Sequence, residues 1–212
     1  MDFLLEIGTE EIPAADLDQA LEQLYVAFVE LKQEAHFSYE DKQIEVMGTP
    51  RRLTVLINNF PAKQDDAVSD KVKGPPAAVS FKKGKATKAG LGFAKAQGLK
   101  PAELLTEKTD KGEYVFAVKT EPGQSSKKVL AQALPKIIES LEFNKSMRWQ
   151  NSVRFIRPIR WLMAMLGNEV VPFEYAGLKS GNKTKGHRLL ANKTFTVKNA
   201  SEYKKVMQGA MP

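Results

Sequence analysis

Apolar residues recur along this chain with two different periods, and the alternation between them sets the expected architecture. Phe3 to Leu5 is an apolar run broken by Glu6 and resumed at Ile7, which reads as a first strand. Pro13 then suits the first turn of a helix, where its missing N–H costs nothing. Beyond it Leu17, Leu21, Leu24, Phe28 and Leu31 recur at alternating steps of four and three, one apolar stripe facing a core. Residues 43–47 and 53–60 are rich in Ile, Val and Leu on either side of Gly48-Thr49-Pro50, so they read as two strands joined by a turn. The opening is therefore βαββ.

From Pro61 to Pro101 the pattern gives way to Lys, Gly, Pro and Ala, with Gly74-Pro75-Pro76 and Lys82-Lys83-Gly84-Lys85 as breaks. Within this stretch Thr87 suits the cap of a short helix carrying Leu91 and Phe93 and ending near Gly98, and Pro101 opens another turn. A hairpin follows, turning at Asp110-Lys111-Gly112. Ser125 and Ser126 then cap a helix with Leu130, Leu134, Ile137, Ile138 and Leu141 on one face, with Pro135 as a possible kink. Residues 161–166 and 170–175 flank the tight-turn dipeptide Gly167-Asn168, and Pro172 puts the second of these strands at a sheet edge. A further strand is expected at Phe195 to Val197, and a helix from Glu202 that stops at Pro212 as though the chain were cut there. The fold class expected is α+β: mixed or antiparallel sheets with long amphipathic helices and a small helical insertion. The expected parts are 1–61, a basic linker or two-helix module at 62–104, and a second α+β part at 105–212.

Charge changes this picture more than composition does. Thirty-two Lys and Arg face 25 Asp and Glu, a net charge of +7, and the excess is uneven. The first forty residues are acidic on balance, whereas 144–167 and 177–198 hold no carboxylate. Such asymmetry favours a polyanionic partner. Without cysteine there is no thiolate metal site, and two histidines, His36 and His187, do not make a His-rich cluster. The N-terminus lacks a basic n-region, and no apolar run approaches the roughly 20 residues of a membrane span, so a cytoplasmic protein without membrane contact is expected.

Catalytic patterns are missing. Gly90-Leu91-Gly92 lacks the third glycine of a dinucleotide loop, and Gly84-Lys85 lacks the hydroxyl of a phosphate loop. Glu6, Glu10 and Glu11 could form an acid–base pair, but the positive end of the following helix accounts for acids at its start. His187 has basic neighbours and no triad-like arrangement. The expected catalytic and metal residues are none.

The basic residues are more distinctive. Between Lys145 and Trp161 five cations, Lys145, Arg148, Arg154, Arg157 and Arg160, are interleaved with three large aromatics and no acid. Guanidinium forks match phosphate oxygens two at a time, and aromatic rings stack on unpaired bases. A second basic stretch, Lys179 to Arg188, holds Lys183, Lys185, His187 and Arg188 and reads as a glycine-bearing loop that follows a phosphate backbone. These nine residues are the expected RNA contacts. The competing reading pairs some arginines with distant carboxylates, and Pro158 turns Arg157 away from Arg154 and Arg160.

Six blocks carry a family resemblance: Leu4-Leu5-Glu6-Ile7-Gly8-Thr9-Glu10-Glu11-Ile12-Pro13, Thr49-Pro50-Arg51-Arg52-Leu53, Lys73-Gly74-Pro75-Pro76, Lys145-Ser146-Met147-Arg148-Trp149, Arg157-Pro158-Ile159-Arg160-Trp161-Leu162 and Gly186-His187-Arg188. In this order they resemble the N-terminal region of the glycyl-tRNA synthetase β subunit of the bacterial two-subunit type. The resemblance implies a part of a glycine–tRNA ligase that is inactive alone. Its implied partners are tRNA(Gly) and an α subunit in a heterotetramer. ATP and Mg belong to that α subunit, and no cofactor is expected here. It also implies a longer chain with a C-terminal anticodon-binding region. The alternative is a purely structural subunit-interface module without RNA contact.

Overall fold

A computed structural model describes residues 1–68, 71–82, 84–109, 112–118, 120–149 and 153–210. The fold is α+β, with mixed and antiparallel sheets. It divides into two compact units, one made of Met1–Asp65 with Gln124–Pro212 and the other of Asp66–Gly123. Compared with the boundaries expected at 61 and 104, residues 105–123 fall with the inserted unit rather than with the C-terminal part. The physical reason is strand pairing, because Gly112–Ala117 is the middle strand of the insertion's sheet.

The larger unit begins with β1 (Phe3–Thr9), α1 (Ala14–Glu34), β2 (Ile44–Thr49) and β3 (Arg52–Ile57). After the insertion come α2 (Ser126–Ser140), a small hairpin of β4 (Met147–Trp149) and β5 (Val153–Phe155), and the long strand β6 (Ile159–Leu166). The chain continues through β7 (Glu169–Val170), β8 (Glu174–Tyr175), β9 (Leu178–Gly181), β10 (Lys183–Lys185), β11 (Thr194–Thr196) and α3 (Tyr203–Ala210). The main sheet runs β8-β9-β6-β1-β3-β2, with β7 also on β6. β6 and β9 are parallel, and the other neighbours are antiparallel. Pro172 lies between β7 and the edge strand β8, where a missing N–H breaks no ladder.

Both faces of this sheet are covered, which explains the nearly continuous apolar run at the start of the chain. Phe3, Leu5 and Ile7 of β1 share one core with Leu53, Val55 and Ile57 of β3, Leu24 and Phe28 of α1, and Leu130, Leu134 and Ile138 of α2. The alternate residues Leu4, Leu56, Met163 and Met165 meet Val197, Tyr203 and Met207 on the other face. All seven residues of β1 are buried. Phe28 is fully buried and Leu21 half-buried at the rim. Ser125 precedes α2 without a side-chain cap bond. Ser126 instead donates its hydroxyl to the Pro61 carbonyl at 2.6 Å.

In the smaller unit, Val72–Pro76, Gly112–Ala117 and Leu105–Thr109 form a three-stranded antiparallel sheet. Helix Lys88–Ala96 is capped by Thr87, whose hydroxyl accepts the Gly90 N–H at 3.4 Å. Gly90 is a packing glycine, since a Cβ there would lie 2.4 Å from the Ser80 carbonyl oxygen. Leu91 is exposed on this helix, and Ala94, Leu104 and Ala117 form the small core with Phe93 against it. Of the expected hairpin turn, Asp110 and Lys111 lie outside the described residues.

Phe28→Ala should destabilise the larger unit by about 3 to 5 kcal/mol, and Leu21→Ala by less, because its site is only half-buried. Urea unfolding of both variants checks this order. A Phe28→Ala loss below about 0.5 kcal/mol would contradict the packing of α1 on the sheet.

Candidate functional site

On the sheet face away from α1 and α2, the apolar packing gives way to a polar cluster built around one acid. Glu6 occupies the middle of β1, opposite Thr54 of β3 and Met163 of β6, and is fully buried. A carboxylate there costs several kcal/mol of lost hydration unless its oxygens are satisfied. Its Oε1 accepts from Trp161 Nε1 at 2.5 Å and from Thr184 Oγ1 at 2.6 Å. Its Oε2 accepts from the Tyr203 hydroxyl at 2.5 Å, with Arg52 Nε at 3.8 Å supplying the countercharge. Thr54 Oγ1 lies 3.1 Å from the Tyr203 hydroxyl and completes the chain of donors. Arg52 is only 6% exposed. It donates to the Lys185 carbonyl at 2.5 Å and to the Met207 sulfur at 3.2 Å, which ties β3 to β10 and α3.

Gly8 has a steric role here. It faces Arg52 and Trp161 across the two ladders, and a Cβ at this position would lie 1.9 Å from the indole ring. Only glycine lets Trp161 lie across β1 and reach Glu6. Arg52 and Lys185 approach the same indole at 6.0 and 5.4 Å.

The next acids continue the pattern. Glu10 accepts from Arg160 Nε at 2.5 Å and lies 3.7 Å from Arg51. The hydrogen bond from Arg160, with the nearby positive charges, holds the Glu10 carboxyl below the usual carboxylate range. Glu11 pairs with Arg188 at 3.8 Å, and its backbone carbonyl accepts from Arg157 Nε at 3.1 Å. These contacts correct the helix-dipole reading of the three acids. Glu6 belongs to a strand, α1 begins at Ala14 after Pro13, and Glu10 and Glu11 answer arginines brought from far along the chain.

The nine residues expected to meet RNA consequently separate into two sets. Arg160 and Arg188 hold carboxylates, and Arg157 is half-buried on the Glu11 and Ile156 carbonyls, whereas Arg154 is exposed. Lys185 stands over Trp161, and His187 Nδ1 accepts the Leu189 and Leu190 N–H groups at 3.3 and 3.2 Å. Lys145, Arg148, Arg154 and Lys183 are exposed and, among the described residues, have no carboxylate partner. Arg148 and Arg154 stand directly opposite each other on β4 and β5. The stretch from Lys179 to Lys185, expected as a loop, is mostly the strands β9 and β10.

Sequence reasoning missed Arg52, Thr54, Thr184 and Tyr203. The available signal was Glu6 itself, a charge inside an otherwise apolar strand that has to find donors. Among the described residues no group of three or more His, Asp or Glu is placed to hold a metal, and no helix is long and apolar enough to cross a membrane.

Four of the six sequence blocks thus meet around β1: the opening segment, 49–53, 157–162 and 186–188. Comparison with known proteins fits this convergence to a class, the aminoacyl-tRNA ligases. Residues 3–211 match the family described as glycyl-tRNA synthetase beta subunit, and the chain belongs to that family. It is 42% identical over 209 residues to the glycine–tRNA ligase beta subunit of Moorella thermoacetica, covering 98% of this chain and 30% of that protein. The corresponding protein of Syntrophus aciditrophicus is 44% identical over 204 residues, covering 95% of this chain and 29% of its own length. A glycine–tRNA ligase of Arabidopsis thaliana, chloroplastic/mitochondrial 2, is 42% identical over 209 residues, 98% of this chain and 19% of that protein. The chain spans about 30% of the length of the bacterial relatives it matches.

Burial, and then the adjacent Glu6 carboxylate, raise the Tyr203 hydroxyl above its ordinary value of 10.0. A folded pKa above the unfolded one gives stability that is complete below about pH 10 and is lost as pH rises further, at about 1.4 kcal/mol per pH unit for each such group. Buried Tyr39 adds to this loss. Tyr203→Phe should cost about 1 to 3 kcal/mol at pH 7 and make the decline above pH 10 shallower by about one proton. Denaturant titrations from pH 7 to 11 read both effects, and an unchanged slope would contradict the Tyr203–Glu6 contact.

Proposed function

We propose that this chain supports the attachment of glycine to tRNA(Gly) as the tRNA-side part of a two-subunit glycine–tRNA ligase. ATP and Mg act on the α subunit, and the chain alone does not activate glycine. The family and the beta-subunit names of its relatives support the ligase role. The observation that carries tRNA contact is the β4–β5 hairpin. Arg148 and Arg154 face each other across it, exposed, with Lys145 just before. Like charges directly opposite in an antiparallel pair repel, and no carboxylate among the described residues relieves them. A phosphate backbone would.

A second reading, a subunit-interface module, is favoured by Leu189 and Leu190, which are 84% and 67% exposed beside Arg188. Contiguous exposed leucines suit a protein contact.

Arg148→Ala and Arg154→Ala should each weaken binding of tRNA(Gly) at low salt and flatten its log–log salt dependence by about 0.7 to 0.9 per phosphate contact. Thermal unfolding should be little changed, because neither side chain holds a carboxylate partner among the described residues. Filter binding across a salt series, with α subunit present and absent, makes the test. If affinity and slope are unchanged while association with the α subunit is lost, the interface reading replaces this one.

A further inference from the structure

Beside the Glu6 cluster is a cavity of about 480 Å³, walled by the turn at Thr49 and Pro50, by Arg51, Arg52 and Trp161, and by the segment from Gly186 to Leu189. Its size is that of a small-molecule site, which typically measures about 300 to 1,000 Å³. Glu11 is its one acidic wall residue. Three arginines line it: among the described residues Arg51 Nε is buried with no hydrogen-bond partner, and Arg52 Nε, also without a hydrogen bond, lies 3.8 Å from Glu6 Oε2. A buried donor left in this way is costly, which marks the Arg51 site as strained in charge and hydrogen bonding. Arg52 is more than nine-tenths buried, so its guanidinium is a fixed part of the wall.

The local charge count points the same way. Four guanidinium groups, Arg51, Arg52, Arg160 and Arg188, share the three acids Glu6, Glu10 and Glu11, and a fifth, Arg157, rests on the Glu11 and Ile156 backbone carbonyls. Among the described residues this leaves two positive charges in excess, before Lys185 over the indole is added. On the far wall, His187 uses Nδ1 to accept backbone N–H groups, so Nε2 carries the ring proton and is a further donor. Fixed guanidinium forks with a surplus of positive charge match a doubly charged oxyanion better than a single carboxylate.

We propose that this cavity holds a phosphate group carried by a nucleotide, received by Arg51 and Arg188 with Arg52 behind them. The choice of a nucleotide rests on the tRNA reading, and the phosphate chemistry is the same whether it comes from RNA or from a free nucleotide. Glu11 competes for Arg188 and so limits the affinity.

Isothermal titration of the chain with inorganic phosphate, AMP and tRNA(Gly) tests the proposal. Arg188→Ala should weaken AMP binding roughly tenfold, as should Arg51→Gln, whereas Glu11→Gln should tighten it. The gain in Glu11→Gln keeps the test sound if Arg51→Gln folds poorly, because Glu11 is an exposed side chain whose charge, among the described residues, contacts only Arg188. Competition between tRNA(Gly) and AMP assigns the phosphate to RNA; AMP binding that tRNA(Gly) does not displace assigns it to a free nucleotide, and both support the site. Phosphate and AMP binding that is absent, or equal in wild type, Arg188→Ala and Glu11→Gln, overturns it, as does binding of a glutamate-rich peptide in place of AMP. The hairpin variants separate the two proposals. Loss of tRNA binding in Arg148→Ala with no AMP binding anywhere retires the cavity and keeps the tRNA role, whereas AMP binding that responds to Glu11→Gln beside unchanged tRNA binding in Arg148→Ala does the reverse.

Discussion

A single buried carboxylate constrains the larger unit. Glu6 lies in the central strand with both sheet faces covered, so the fold has to bring donors to it or lose several kcal/mol. It does so with groups far apart in the chain: Arg52 and Trp161 from the flanking strands, Thr184 from β10 and Tyr203 from α3. Each of these fixes a distant segment against β1. The last thirty described residues are thereby fastened to the first nine by polar contacts as well as by the apolar packing of Leu4, Met165 and Met207. Breaking one partner leaves the others buried and unmatched, which makes the cluster a condition of the fold on this face.

The same logic divides the basic residues into two kinds. Arg52, answered by the buried Glu6, belongs to the structure, and its removal should be felt first as instability. Arg148 and Arg154 have no such partner among the described residues, and they stand directly opposite each other, where like charges repel. A basic patch in sequence is thus not a uniform surface. The acidic opening segment and the basic later segments, read from the sequence as separate features, largely answer one another.

Elements were more legible than contacts. The stripe of Leu24, Phe28 and Leu31 in α1, the turn at Gly167-Asn168 and the Thr87 cap each depend on neighbours a few residues away, so local periodicity and turn chemistry reveal them. Which carboxylate meets which arginine depends on strand order and register, where a shift of one residue sends every side chain to the other face. Glu6 meets Arg52 rather than Arg51 because β1 pairs Gly8 with Arg52, placing that guanidinium on the Glu6 face. Nothing local to Tyr203 or Thr184 marks them as its donors. Which residues of the Thr87-capped helix face inward was not legible either: Gly90 and Ala94 are its buried residues, and Leu91 lies outside.

The central claim is that Glu6 and Arg52 act as one buried pair. A double-mutant cycle with Glu6→Gln, Arg52→Met and the double variant, measured by urea unfolding at pH 7, tests it most directly. Each single change should cost about 3 to 5 kcal/mol by stranding its partner, and the double about 1 to 2 kcal/mol more than either, a coupling of about 2 to 3 kcal/mol. Losses that add to within about 0.5 kcal/mol would show that the two residues do not depend on each other and would contradict the account.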